Sequence, residues 1–542
     1  MEKRNLSDKR FLSVAEQTRR YQQSLFFILI FSVCLLGCSG LSGKDIVPIR
    51  HIASEFTLEQ HEVVTGIGKH QTVLMGFLLD GDFAELTVVN TDENDNRSLR
   101  IYAFSNGTWA PRFDTTLRPE ALFVDIANID GRDRLITYDA HGHLNWFDPE
   151  SATEQMLVPV PSVTLPPKGA IPHVDITHDV NGDLRDDLVL PDFDGFWVFI
   201  QTTEGVFADP VKLGPPTKMD RIYEADGYRH TPWHQSRIHE IDYNQDSRND
   251  LVFWNVDHFK VHLQDEYGLF APVATTFTTD VVFDSDDLAS LAAPYGVRRR
   301  LRDHQPTGAL TGRVLHSLID VNGDSIADLG VFSLEGGSLW HMHSTYEVHF
   351  GRLTSDGGTV FAPDIGTEIK SDGIPFGMWQ HDFDHDGHVD MMFTTLKLRV
   401  VKLIGMLAHS FLTGSDLRDI EFYAMEGSIY SDKPNATRKI KTNTRSKSGE
   451  KSVTYPSMLV GDVNGDRRLD LLMGWGRKEL RVFTGVPGPG LFTRKPQKVT
   501  VTIPNNEEYT WLVDLNKDNK QDILMYHPST TVPHQVTLLI AQ

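Results

Sequence analysis

Cysteine is almost missing from this chain. Of its 542 residues only Cys34 and Cys38 are cysteine, and both lie among the first forty. The body of the protein therefore has no disulfide framework and no thiolate metal site. Basic charge is also short. Lys and Arg number 52 against 74 Asp and Glu, a formal charge of −22. That deficit argues against nucleic acid as a partner, because phosphate contacts need clustered Lys and Arg. Long apolar runs are lacking too. The run from Leu25 to Leu36 is too short to span a bilayer as a mature helix. The stretch from Leu396 to Phe411 carries Lys397, Arg399, Lys402 and His409, too much charge for a hydrocarbon core. No helical period is sustained, and the sequence has neither a Gly-x-Ser-x-Gly elbow nor a P-loop.

What is present begins with a leader. Arg19 and Arg20 precede the apolar run, which ends in Leu35-Leu36-Gly37-Cys38. This resembles the signal peptide and lipobox of bacterial lipoproteins. The resemblance implies that residues 1–37 are removed and that Cys38 is lipidated. Ser39, rather than Asp, follows the cysteine, which implies the outer membrane. The expected location is the bacterial cell envelope, after export, with the membrane reached through the lipid anchor only. Loss of six basic and three acidic residues with the leader takes the charge from −22 to −25.

One pattern then recurs: Asp-x-Asn/Asp-x-Asp-x-x-x-Asp, followed at once by an apolar residue. The copies are Asp179, Asn181, Asp183 and Asp187; Asp242, Asn244, Asp246 and Asp250; and Asp320, Asn322, Asp324 and Asp328. They continue with Asp382, Asp384, Asp386 and Asp390; Asp462, Asn464, Asp466 and Asp470; and Asp514, Asn516, Asp518 and Asp522. Two earlier segments keep the hydrophobic frame but lose the ligands, Asp80-Gly81-Asp82 and Asn128-Ile-Asp130-Gly131. A second signal, a Gly, an aromatic and a Pro, sits further along the repeat, as in Gly107-Thr-Trp109-Ala-Pro111 and Gly268-Leu-Phe270-Ala-Pro272. Gly supplies a turn and Pro ends a strand. Short strands, frequent turns and a unit of roughly 50 to 80 residues predict an all-β propeller of seven or eight four-stranded blades.

The loops predict Ca²⁺. That ion takes hard oxygen ligands, and alternate positions 1, 3 and 5 turn inward around a tight loop that position 9 closes. Gly at position 4 permits the turn, as at Gly182, Gly323 and Gly465. Flanking helices and the glutamate of an EF-hand are lacking, and an all-oxygen set disfavours zinc. Nineteen carboxylates crowd the six loops. Six Ca²⁺ ions would bring the charge of the processed chain from −25 to about −13.

These loops, with the Gly-aromatic-Pro turn, resemble the FG-GAP or VCBS repeats of integrin-α-like propellers over residues 72–542. The resemblance implies that each loop joins the first two strands of a blade and binds Ca²⁺ through positions 1, 3, 5 and 9. Position 7 (Arg185, Arg248, Ile326, His388, Arg468 and Lys520) would give only a backbone carbonyl. The domain reading is a leader at 1–37, a linker with a ring-closing strand at 38–66 and a propeller at 67–542. Insertions are read at 279–312 and 396–454, the latter with an amphipathic helix and a basic stretch from Lys433 to Lys451. His230, His234, His239, His341 and His343 are read as blade or loop histidines.

The functional expectation is a binding, adhesion or scaffold module, monomeric, with a protein or glycan ligand and no catalytic residue assigned. The alternative is a polysaccharide lyase or hydrolase on the same propeller. A cluster of His, Arg, Tyr or Glu at the central channel would favour the alternative.

Overall fold

The computed structural model describes residues 56–149, 151–166, 170–216, 223, 228–235, 238–283, 312–336, 342–355, 357–372, 374–396, 415–443, 458–504 and 506–542. Nearly all regular structure there is strand. The helical elements are the four-residue helix Pro232–Gln235 and two 3₁₀ turns. No helix of the described residues is long and apolar enough to cross a membrane. The leader and Cys38 lie outside the described residues.

Eight main sheets follow one another along the chain. Seven are four-stranded antiparallel blades, and the other is six-stranded. Sheet 1 holds His70–Gly76, Glu85–Thr91, Arg97–Ser105 and Thr108–Thr116. Sheet 2 holds the same kind of meander, Ala121–Ile129, Arg132–Asp139, His143–Asp148 and Thr153–Pro159. Two short parallel strands, His173–Val174 and Arg229–His230, extend it on its inner side. The second strands of sheets 3 to 8 begin at Asp187, Asp250, Asp328, Asp390, Asp470 and Asp522. Sheet 8 takes its fourth strand from the other end of the chain: Leu58–Gly66 pairs antiparallel with His534–Ala541.

Hydrogen bonds join every neighbouring pair and close a ring. Phe77 N–H donates to Asp133 at 2.8 Å (sheets 1 and 2), Asn128 N–H to Asp186 at 2.7 Å (2 and 3), and Gln264 Nε2 to the Asn181 carbonyl at 2.8 Å (4 and 3). Thr359 Oγ1 donates to the Tyr243 carbonyl at 3.2 Å (5 and 4), Val389 N–H to Val321 O at 2.9 Å (6 and 5), and Arg438 Nη2 to Phe492 O at 2.6 Å (6 and 7). Gln521 N–H reaches Asp462 O at 2.7 Å (8 and 7), and Ala84 N–H reaches Leu515 O at 2.8 Å (1 and 8). The fold is a β-propeller.

Each of the eight junctions has its own buried cluster. A blade is covered on both faces, so its inner strands read as continuous apolar runs rather than alternating ones. Every residue of Asp187–Asp192 is buried, for example. The outer strand Thr108–Thr116 meets solvent on one face and alternates.

Part of the segment expected as the insertion 396–454 is blade. Ser415–Tyr423 and Ala436–Asn443 are the third and fourth strands of sheet 6, with a small hairpin of Met425–Glu426 and Ile429–Tyr430 between them. Lys439 and Lys441 belong to that strand, and Ile440 is buried in a junction core. The basic side chains hid a strand with one buried face. Residues 284–311, 397–414 and 444–457, where the other expected insertion features fall, lie outside the described residues.

Candidate metal centres

Each Asp loop leaves the end of a first strand and enters the second at position 9. That position-9 aspartate is buried in all six copies, Asp187, Asp250, Asp390, Asp470 and Asp522 at 0% exposure and Asp328 at 1%. Its two oxygens have fixed duties. One accepts the N–H of position 2: Val180, Tyr243, Val321, Phe383, Val463 and Leu515, at 2.8 to 3.1 Å. The other accepts an N–H where the third strand ends or just beyond: Gln201, Gln264, Gly351, Met425, Gly485 and Ala541, at 2.8 or 2.9 Å. One carboxylate thus ties the loop to the first three strands of its blade.

Burial and the neighbouring carboxylates push these groups up, against the pull of their backbone donors. Asp187, Asp390 and Asp470 rise to about 8, Asp328 and Asp522 to about 7, and Asp250 to about 6.

Position 1 organises the turn. Asp179 accepts N–H bonds from Gly182, Asp183 and Leu184 at 2.8, 3.1 and 2.8 Å, and Asp320 accepts the equivalent three. Position 4 is left-handed in every loop, from Gln245 at φ 57° to Gly182 at 76°. Position 6 is left-handed as well: Leu184, Ser247, Ser325, Gly387, Arg467 and Asn519 lie at φ 65° to 91°. Only one of those six is glycine, so residue type alone does not mark the second inversion. The carboxylate of position 1 supplies the bonds that hold it.

Position 7 does more than offer a carbonyl. Arg185 pairs with Asp183 and Arg248 with Asp246. His388 lies 3.0 Å from Asp386, Lys520 3.5 Å from Asp518 and Arg468 3.8 Å from Asp466. Only Ile326 makes no such polar contact. These side-chain contacts stand beside the carbonyl role that the resemblance implies for position 7.

In the loop of sheet 6, oxygens of Asp382, Asp384 and Asp390 all lie within 4.8 Å of one another. The Oδ1 atom of Asp384 there is buried with no hydrogen-bond partner. An anionic, all-oxygen set with an orphaned oxygen fits a hard cation such as Ca²⁺. In the other five loops position 3 is Asn.

The two eroded copies behave differently. In sheet 2 the loop has shrunk to a two-residue hairpin, Asp130 at φ 55° and Gly131 at 75°, the geometry favoured by Asp-Gly. In sheet 1, Glu85 opens the second strand and accepts the N–H groups of Leu78 and Leu79 at 2.8 and 3.0 Å. Glu85 therefore stands where position 9 stands elsewhere. The Asp-only pattern missed it, although an acidic residue before Leu86 was the signal.

Polar side chains also gather on the inner strands. His173 Nε2 donates to Asp125 at 2.7 Å, and the other Asp125 oxygen accepts from Ile176 N–H at 2.8 Å and Thr177 Oγ1 at 2.7 Å. Residues 228–230, on the connection from sheet 3 to sheet 4, contact the inner strands of sheets 2, 1 and 8. Val73 N–H donates to the Tyr228 hydroxyl at 2.9 Å, Tyr228 N–H donates to Glu508 at 3.0 Å, and the Arg229 guanidinium lies 3.3 Å over Trp511. His230 is buried, which pushes its imidazole down to about 4. Asp125 and His173 are at most 6% exposed, so this cluster ties elements together rather than lining an open site.

Fold and loops together define a β-propeller with six repeated Asp-loop blades, a rigid ring suited at the coarse level to binding or scaffolding. No protein-family model matches the chain, and no curated protein matches its sequence. Among solved structures, an Agrocybe aegerita lectin described for specific recognition of non-reducing terminal N-acetylglucosamine is 12% identical, with a TM-score of 0.37, over 81% of this chain and 94% of that one. Sqt1 from Chaetomium thermophilum is 10% identical, also at 0.37, over 90% and 100%. The dihydro-heme d1 dehydrogenase NirN is 13% identical at 0.31, over 83% and 76%. Likenesses of this size carry no argument about function.

Proposed function

We propose that this chain is a calcium-stabilised, FG-GAP/VCBS-type propeller lipoprotein that serves as a binding, adhesion or scaffold module at the bacterial cell envelope. Lipid on Cys38 would hold it, and its partner would be a protein or a glycan. One observation carries the calcium part: the same anionic nine-residue loop stands on six successive sheets, with its position-9 carboxylate buried each time. Among the described residues the basic side chains at position 7 offset only part of that charge, and a divalent ion in each loop would offset more of it. Residues at positions 1, 3, 5 and 9 would hold the ion, which supplies charge neutralisation and cross-linking of the loop. The binding part rests on loops presented by a rigid ring. The polysaccharide-enzyme alternative needs an open polar cluster near the axis, and the buried His173–Asp125 pair does not favour it.

The test is thermal unfolding of residues 39–542 with and without calcium, beside a metal count. A clear calcium-dependent rise with bound calcium supports the reading. No shift and no bound ion would leave the loops as plain turns. Mass analysis of the N-terminal peptide decides the anchor: a diacylglyceryl group on Cys38 is expected, and an unmodified or differently cut N-terminus overturns it.

A further inference from the structure

We propose that the six loops are unequal: loops 320–328 and 382–390 take up calcium first, as a coupled pair, and the other four bind it more weakly because each carries its own counter-cation. This rests on the calcium reading above.

The loops differ in charge. Loop 382–390 has four ligand carboxylates and no Lys or Arg, its position-7 group on Asp386 being the imidazole of His388 at 3.0 Å, and loop 320–328 has three and no Lys or Arg. Each remaining loop has three with at least one basic residue: Arg185, Arg248, Arg467 with Arg468, and Lys517 with Lys520. The position-7 cations are placed on the ligands themselves. Arg185 sits on Asp183 and Arg248 on Asp246, while Lys520 and Arg468 stand 3.5 and 3.8 Å from Asp518 and Asp466. An incoming Ca²⁺ must share the position-5 carboxylate with that cation and meet its repulsion at short range. The further acid of the first loop, Asp186, does not restore the balance, because it turns away to the Asn128 N–H at 2.7 Å. Ile326 brings no charge, so Asp324 is left for the metal. In loop 382–390, three carboxylates already converge within 4.8 Å and the Asp384 Oδ1 atom is buried without a partner.

The two loops also touch. Val389 N–H donates to Val321 O at 2.9 Å, and a Cβ placed on Gly323 would come within 2.9 Å of the Gly387 carbonyl oxygen. Ordering one loop therefore fixes a hydrogen-bond partner of the other, which is the physical content of coupling between sites. Loops 462–470 and 514–522 are joined in the same way, Gln521 N–H to Asp462 O at 2.7 Å. Each carries a position-7 cation near its position-5 carboxylate, so that pair fills after the first.

Calcium titration of residues 39–542, followed by native mass spectrometry and calorimetry, tests the order. Two ions are expected in a first phase, at calcium levels roughly tenfold or more below those that fill the rest. Ile326→Arg should weaken that first phase by roughly tenfold, and Asp384→Asn should do likewise. Arg185→Gln, which leaves every ligand in place, should move one later site towards the first phase. Six equal sites, or a first phase unmoved by Ile326→Arg, would overturn the ranking. No bound calcium at any concentration would instead remove the reading beneath it.

Discussion

The aspartates that open the second strands each accept two backbone N–H bonds inside the blade. Removing one strands both donors. Asp470→Ala should therefore cost about 2–4 kcal/mol even in EDTA, read by denaturant unfolding. Asp466→Ala, on a half-exposed side chain, should cost under about 1 kcal/mol in EDTA and show its main effect only in calcium. A loss confined to calcium for both variants would mean that position 9 acts as a ligand and not as a clamp. The same residues set a pH dependence. Their folded-state values of about 6 to 8 lie above the ordinary 3.8. Between about pH 4 and 8 the metal-free folded chain keeps protons that the unfolded chain has released, so its stability falls as pH rises. In EDTA the melting temperature should be higher at pH 6 than at pH 8, and saturating calcium should abolish that difference. An EDTA profile that is flat or rises with pH would show that these carboxyls are ionised without metal.

Among the elements, the blades depend on the cores between them. Phe383 is fully buried at the junction of sheets 6 and 7, against Phe422 and Phe492. Phe383→Ala should cost about 3–5 kcal/mol by denaturant unfolding. A cost under about 1 kcal/mol would mean that the junction refills or that sheets 6 and 7 do not share it. How much of this was legible differs by element. Second strands were plain, because an apolar run follows each position-9 aspartate at once. First strands were less so: in sheet 3 the strand is only Thr177–His178, too short for any period to register. The strands Ser415–Tyr423 and Ala436–Asn443 were hidden by their charged residues, Asp416, Arg418, Asp419 and Glu421 in the first and Arg438, Lys439 and Lys441 in the second. The loops were legible as ligand sets through alternation alone. Their second left-handed residue was not, because a hydrogen-bonded carboxylate replaces glycine there, and the pairing of position 7 with position 5 depends on loop geometry.

For the whole molecule, a strap joins three neighbouring sheets. Residues 228–230 pair with His173–Val174 beside sheet 2 and bind Val73 of sheet 1 and Glu508 and Trp511 at sheet 8. His230 within it is neutral when folded, at about 4 against an ordinary 6.5. As pH falls from 6.5 towards 4 the unfolded chain takes the proton first, so stability is lost, by up to about 3 kcal/mol. This runs opposite to the aspartates and should be seen with calcium bound. His230→Leu should flatten the acid limb of the stability profile, and an unchanged limb would place its origin elsewhere.

The strand Leu58–Gly66 is made long before its partner His534–Ala541, with Thr537 bonded to Glu62 across 475 residues of sequence. Until Leu58–Gly66 pairs with His534–Ala541, sheet 8 stands as three strands with a bare edge. The ring therefore cannot be finished blade by blade in the order of translation. Its last step is a long-range closure, slow by topology, during which that edge is open to another chain. On the calcium reading proposed above, the ion would meet the six Asp loops of sheets 3 to 8 before the circle shuts, and would set those blades while the first strand is still searching for its place.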